Sequence, residues 1–339
     1  MDAAVLHGPE SLRIEDRPRP EASPGEVLVR IEACGVCTTD RHMYEGNLDV
    51  PLPVVPGHES AGEVVAVGDG VDRIATGQRV AINPSVPCHD CAKCKAGREN
   101  LCPDLTSLGG AAEHVADGSF AEYETVPAGN VEPIGDLSYE TAALAEPLGC
   151  CLHGTERAGV ERGESVAVVG AGPIGLLLVQ TLRLSGAGPI VVSEPDDERR
   201  AVARSLGADH VVDPTATDPV AAVADQTGLV DLAIEVVGFS ETLEQARAMT
   251  GAGGRTLVFG VPPEDALIEV APFDVFYDER DLLGTYSLTP DDFRRAVTLL
   301  ANDRIDHERL VTHEADLAGL EAAFERMGSN EGLKQLIRP

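Results

Sequence analysis

Positive charge is scarce in this 339-residue chain. Lysine occurs only at Lys93, Lys95 and Lys334, and Lys plus Arg number 26 against 57 Asp plus Glu, a formal net charge of −31. Affinity for nucleic acid rests largely on cationic contacts to phosphate, so nucleic acid is not an expected partner. Residues 1 to 18, MDAAVLHGPESLRIEDRP, lack a basic segment followed by an apolar core, so neither export nor membrane anchoring is expected. There is no repeat at a fixed period and no low-complexity stretch. Self-repulsion of this size destabilises a compact chain in dilute buffer and is screened within a few ångströms at molar salt. The composition fits a salt-rich, halophilic cytoplasm; the other reading is an acidic, highly soluble enzyme from an arginine-rich proteome.

Cysteine, by contrast, is present eight times. Without a leader, such thiols are expected as ligands in a reducing compartment, the cytoplasm. Cys88, Cys91, Cys94 and Cys102 fall in PCHDCAKCKAGRENLCP, residues 87 to 103, a run short enough to wrap one tetrahedral ion. Cys102-Pro103 resembles the end of an iron–sulfur run. Those runs place three residues between the third and fourth cysteine, whereas seven stand here, so structural zinc is expected. Cys37, the pair His58-Glu59 and Glu146 form a second candidate set. Four thiolates saturate zinc, whereas a mixed and smaller set leaves a position open to substrate oxygen. Cys150 or Cys151 is the competing choice for Glu146, though a buried thiol is usually a small hydrophobe, as Cys34 is read to be.

The segment ESVAVVGAGPIGLLLVQTLRLSGA, residues 164 to 187, runs from a short apolar strand through Gly170, Gly172 and Gly175 into a helix-periodic stretch. A second strand, PIVVSE, ends at Glu194. In this context the glycines serve a tight turn, close approach of a pyrophosphate, and helix–sheet packing, with Pro173 and Ile174 opening the helix. Glu194 would accept hydrogen bonds from an unmodified ribose and repel a 2′-phosphate, which favours NAD. Arg199 and Arg200 stand nearby and could instead neutralise that phosphate, which keeps NADP open. Residues 166 to 182 are largely apolar, but the Gly-Ala-Gly-Pro break argues against a membrane span. Strands at 229 to 238 and 254 to 261, separated by helical stretches, predict a doubly wound parallel sheet.

Residues GVCTTDRH, 35 to 42, and the spaced pattern of Gly57, His58, Glu59, Gly62, Gly68 and Val71 carry a resemblance. They resemble the zinc signature of the medium-chain dehydrogenase/reductase superfamily, the zinc alcohol and polyol dehydrogenases, and the likeness extends along essentially the whole chain. It implies Cys37, His58, Glu59 and Glu146 at the catalytic zinc, and two zinc ions per subunit. Alcohol dehydrogenases of the family carry Cys where Glu146 stands, while the polyol, sugar and threonine dehydrogenases carry Glu. The resemblance also implies a proton relay through Thr39 and His42, with Glu59 beside the reacting centre, and a homo-oligomer, either tetramer or dimer. Gly238, Val261 and residues 284 to 287 resemble the family's cofactor loops.

The expected architecture is α/β, a GroES-like irregular β-barrel with a Rossmann doubly wound sheet. Residues 1 to 147 form the catalytic domain, with the zinc lobe at 86 to 103. Residues 148 to 287 form the cofactor domain, and 288 to 339 return to the first. In that last segment helices are expected at 290 to 302 and 314 to 327, then a strand at 333 to 337. Length allows two domains with the site in the cleft between them. The expected reaction is oxidation of a secondary alcohol, a polyol or sugar, through an alkoxide on zinc and hydride transfer to NAD. Tyr44 and Tyr123 are candidate pocket walls, and Thr38 stands where many relatives have Gly. A threonine-like amino alcohol or a sugar phosphate is the alternative substrate and would need a cation, for which Arg41 is the candidate. A non-enzymatic zinc and nucleotide-binding protein is the reading from another class.

Overall fold

The computed structural model describes residues 1–339. The chain divides into two compact units, Met1–Gly149 with Leu288–Pro339, and Cys150–Ser287.

The first unit is built on a seven-stranded sheet. Its central strand, Glu26–Gly35, alternates buried and half-exposed residues and pairs with Glu59–Val67, with Tyr123–Pro127 and with the C-terminal Lys334–Arg338. Register places Gly35 opposite both Glu59 and Leu336, so two distant segments flank one small residue. Val27, Val29, Ile31, Val64, Val80 and Phe120 form the core beneath, all nearly water-free. Helices Pro290–Ala301 and Leu320–Gly328 complete the unit. The expected helix from 314 to 327 is corrected here. Val311–Asp316 is a strand paired in parallel with Lys334–Arg338, Leu317–Gly319 is a single 3-10 turn, and only then does the helix begin. Val311, His313 and Ala315 alternate with exposed residues, a period of two that sheet pairing selects over the helical pattern.

A buried carboxyl in this sheet has no cationic partner among its contacts. Glu124, 4 % exposed, accepts the Ser119 hydroxyl, which also contacts the Ser60 hydroxyl at 2.6 Å. Burial pushes Glu124 up to about 8, against the Ser119 hydrogen bond and with help from the charge of Asp117. The native state therefore holds a proton that the unfolded chain releases from about pH 4.5 upward. Stability is full below that value, falls as pH rises, and the loss is complete above about pH 8, of order 5 kcal/mol in all. Glu124→Gln is expected to flatten the denaturant midpoint between pH 5 and 8, and an unchanged slope would assign the pH dependence elsewhere.

The second unit is a six-stranded parallel sheet in the order His210–Val212, Ile190–Ser193, Val166–Val169, Val230–Glu235, Thr250–Val258, Asp281–Gly284. Val166–Val169 and Ile190–Ser193 are buried at every position, as strands covered on both faces must be. Strand order reverses beside Val166–Val169, whose register puts Val169 level with Ser193 and Glu235. Gly170, Glu194 and Val236 thus leave the sheet side by side at its carboxyl edge, where ligands of such sheets bind. No helix is long and apolar enough to cross a membrane.

Candidate metal and cofactor sites

The four-cysteine lobe shows how local spacing becomes a site. Cys91 caps the short helix Ala92–Lys95 and its sulfur accepts the Cys94 N–H, while the Cys88 and Cys102 sulfurs accept the N–H groups of Cys91 and Cys88. Sulfur–sulfur distances are 3.4 Å for Cys88–Cys102, 3.5 Å for Cys91–Cys94, 3.9 Å for Cys91–Cys102 and 4.0 Å for Cys88–Cys94. A tetrahedron with metal–sulfur bonds of 2.3 Å has edges of about 3.8 Å, so the lobe fits one zinc ion. No pair is joined as a disulfide. The N–H groups of Asp90 and Cys91 pull Cys88 down to about 7, whereas burial and its thiol neighbours push Cys94 up to about 12. All four sulfurs would ionise together at this spacing only around a dication.

The open set is assembled from separate strands and a helix. Cys37 is the N-cap of helix Thr38–Glu45, His58 immediately precedes the strand Glu59–Val67, and Glu59 opens it opposite Gly35. Candidate ligand atoms of Cys37, His58 and Glu59 all lie within 4.8 Å of one another. Asp40, fully buried, holds the arrangement: Oδ2 accepts the Cys37 N–H at 2.8 Å and Oδ1 the Gly57 N–H at 3.2 Å. Its Oδ1 is also 3.2 Å from His58 Nδ1, though off-line enough that Nδ1 has no aligned hydrogen bond. Burial opposes protonation of His58, but Asp40 and Cys37 outweigh it and raise its pKa well above the usual imidazole range. The cluster attracts positive charge, and thiol, imidazole and carboxylate are the donor types of a catalytic zinc site.

Glu59 has a second partner. Both its oxygens accept from Lys334 Nζ at 2.7 Å, and this ammonium also donates to the Val36 carbonyl at 3.2 Å. Burial opposes the charge on Lys334, but Glu59 and Cys37 keep its pKa raised, with Glu146 adding to the effect. Glu146 is buried in the first turn of helix Ala145–Ala158 and lies outside the 4.8 Å cluster. Gly35 is required here, because an added Cβ would come within 2.1 Å of Glu59 Oε2.

Thr39 and His42 lie three residues apart on the Cys37-capped helix, hence on one face, with His42 lowered chiefly by burial. Arg41 Nε donates to Glu45 at 2.7 Å, so the candidate cation for an acidic substrate is already paired. Neither tyrosine stands free as a wall. The Tyr44 hydroxyl donates to Glu321 at 3.0 Å and its ring lies 5.0 Å from Phe324, while Tyr123 lies under the Arg19 guanidinium. Cys34 and Cys151 are fully buried, Cys151 beside the Ile174 carbonyl.

In the second unit Gly170 has φ +108°, which an L side chain resists, and a Cβ there would meet Val237 and Val236. Gly172 caps helix Pro173–Ser185 with open space around it, and Ile174 follows Pro173 in the first turn. A Cβ on Gly175 would stand 2.1 Å from the Gly170 carbonyl, so the helix can approach the strand only with glycine there. Glu194 is buried, with Oε2 accepting the Ala171 N–H at 2.7 Å and Oε1 the Asp196 N–H at 3.0 Å. The Arg199 N–H is used by Asp196, and the Arg200 guanidinium donates to the carbonyls of Glu194 and Pro195.

Sequence reasoning overlooked Asp40 and gave Lys334 no role. Asp40 carries a signal, an acid three residues after a capping thiol; for Lys334 the hint is a lysine inside the apolar LKQLI of a chain that otherwise uses arginine.

Residues 23–136 match the alcohol dehydrogenase GroES-like domain, and residues 173–302 match the zinc-binding dehydrogenase domain. Sorbitol dehydrogenase of Bacillus subtilis (strain 168) is 35% identical over 100% of this chain and 97% of its own length. L-threonine 3-dehydrogenase of Thermococcus kodakarensis is 34% identical over 100% of this chain and 97% of its own. A solved zinc-binding dehydrogenase from Sinorhizobium meliloti 1021, bound to NADP, superposes with a TM-score of 0.94 at 37% identity, covering 100% of this chain and 99% of that one.

Proposed function

The chain belongs to the zinc-dependent medium-chain dehydrogenases, and from that premise we propose that it oxidises a neutral secondary alcohol, a polyol or sugar, with NAD as hydride acceptor. The observation that carries this reading is the cation balance around Cys37, His58 and Glu59. Arg41 is paired with Glu45 and Lys334 with Glu59, so neither offers a free charge to a carboxylate or phosphate on the substrate. Glu146 in place of a thiol supports the branch of polyol, sugar and threonine dehydrogenases over the simple alcohol dehydrogenases.

Cys37 and His58, with Glu59 and Glu146 as the available carboxylates, would hold the catalytic zinc, and Cys88, Cys91, Cys94 and Cys102 the structural one. Bound zinc supplies Lewis acidity, which lowers the pKa of an alcohol enough for hydride loss near neutral pH. Asp40 keeps the Cys37 turn and His58 in place while that charge changes. The Thr39 hydroxyl passes the substrate's proton toward His42, whose depressed pKa leaves the ring neutral and able to accept. Open space at Gly172 suits a pyrophosphate at the helix N-terminus. Glu194, already fixed by two backbone N–H groups, retains lone pairs for ribose hydroxyls and opposes a 2′-phosphate.

Thiols clustered as ligands support a cytoplasmic setting. Phe273, Phe276 and Tyr277 are 66%, 78% and 72% exposed beside the edge strand Asp281–Gly284, which supports a homo-oligomer.

The test is reduction of NAD and NADP against secondary alcohols, polyols, aldoses, threonine and sugar phosphates in concentrated salt. Polyols are expected to exceed threonine and sugar phosphates by about tenfold or more in kcat/KM, with NAD preferred. Preference for threonine or a phosphorylated sugar overturns the substrate reading and leaves the family standing.

A further inference from the structure

Lys334 sets a permanent cation against a cluster that has the donor set of a cation site. It is 4% exposed and Glu59 1%, and all three ammonium protons are accounted for by the two Glu59 oxygens and the Val36 carbonyl. Glu59 is also within 4.8 Å of the candidate ligand atoms of Cys37 and His58. One carboxylate therefore has two claimants. Gly35 leaves it the room to sit between them, since a methyl group on that residue would come within 2.1 Å of Oε2. Taking Glu59 away from Lys334 strips a buried ammonium of its bidentate counter-ion, a costly change in a dry site.

We propose that Lys334 is a positioning residue of the open site, holding Glu59 by both oxygens so that a divalent ion bound by Cys37 and His58 must compete with Lys334 for that carboxylate. The inference rests on the zinc reading of this site. Its consequence is a brake on metal saturation: the ion is retained, but Glu59 does not close the position that substrate oxygen needs. The C-terminal strand thereby sets the ligand field of a site built from the N-terminal third of the chain.

Chelator competition on full-length, zinc-loaded protein tests it, with the four-thiolate lobe retaining its ion as an internal standard. Lys334→Met is expected to bind the open-site zinc about tenfold or more tightly than the natural chain, because the buried Glu59 carboxylate, stripped of its ammonium, then has the metal as its sole counter-ion. Lys334→Arg is expected to restore the natural affinity to within about threefold. Unchanged or weaker binding in Lys334→Met overturns the proposal. So does an equal loss of thermal stability with and without open-site zinc, the signature of a purely structural pair. Should Lys334→Met fail to fold, Lys334→Gln, whose amide can still donate to Glu59 but carries no charge, is measured in its place. It is expected to tighten open-site zinc about tenfold in a chain with Glu59 and to give no such gain in a Glu59→Gln background, and an equal effect in both backgrounds overturns the inference. A natural chain that holds only one zinc per subunit refutes the site reading itself, a result distinct from two zincs with an indifferent Lys334.

Discussion

Replacement of His58 by alanine is expected to lower kcat by a factor of at least about 10³, with the fold intact. A Lewis acid at the reacting oxygen is worth several kcal/mol of transition-state stabilisation, and each 1.36 kcal/mol is a decade in rate. His58 is one of three donors within 4.8 Å, and Asp40 holds its neighbours Cys37 and Gly57 through backbone N–H groups that survive the substitution. Metal analysis should therefore show loss of the open-site ion and retention of the ion in the cysteine lobe. Circular dichroism is expected to match the unsubstituted protein. Full activity in His58→Ala, or loss of both ions, would refute the division of labour between the two sites.

The second large effect is on stability and needs no substitution. Transfer from about 3 M to about 0.1 M KCl is expected to lower Tm by on the order of 10 °C or more, because the screening length grows from under 3 Å to about 10 Å. The formal charge of −31 is the source. Only seven of the 57 acids are buried, Asp40, Glu59, Glu124, Glu146, Glu194, Glu235 and Asp292, so the repulsion lies where salt can reach it. Thermal unfolding across a KCl series checks this, with sucrose as a control for general exclusion effects. A flat Tm would show that the acidity serves solubility alone.

Much of this molecule was legible because its signals are local. The cysteine lobe closes within fifteen residues, from Cys88 to Cys102, and short spacing forces the sulfurs together. The glycine turn is equally compact, since Gly170 and Gly175 each meet a constraint set by the adjoining strand and helix, with Gly172 open between them. Alternation of buried strands with helices announced the parallel sheet. Local pattern misled where two periods compete: Glu314, Ala315 and Asp316 run into a helical pattern, but the Lys334–Arg338 strand beside them decides the pairing. It was silent on the partners of Tyr44 and Tyr123, since Glu321, Phe324 and Arg19 are set by packing.

The sequence alone determined the family, the grouping of the four lobe cysteines and the glycine turn, because each rests on residue types in a local pattern; it also named Cys37, His58 and Glu59, which the structure brings within 4.8 Å, and Glu146, which it leaves outside that cluster. Tertiary structure alone decided that Glu59 is held by Lys334, 275 residues away, and that Arg41 is already paired. The physical reason is sheet register: Gly35 faces Glu59 on one side and Leu336 on the other, and no property of either segment in isolation encodes that meeting.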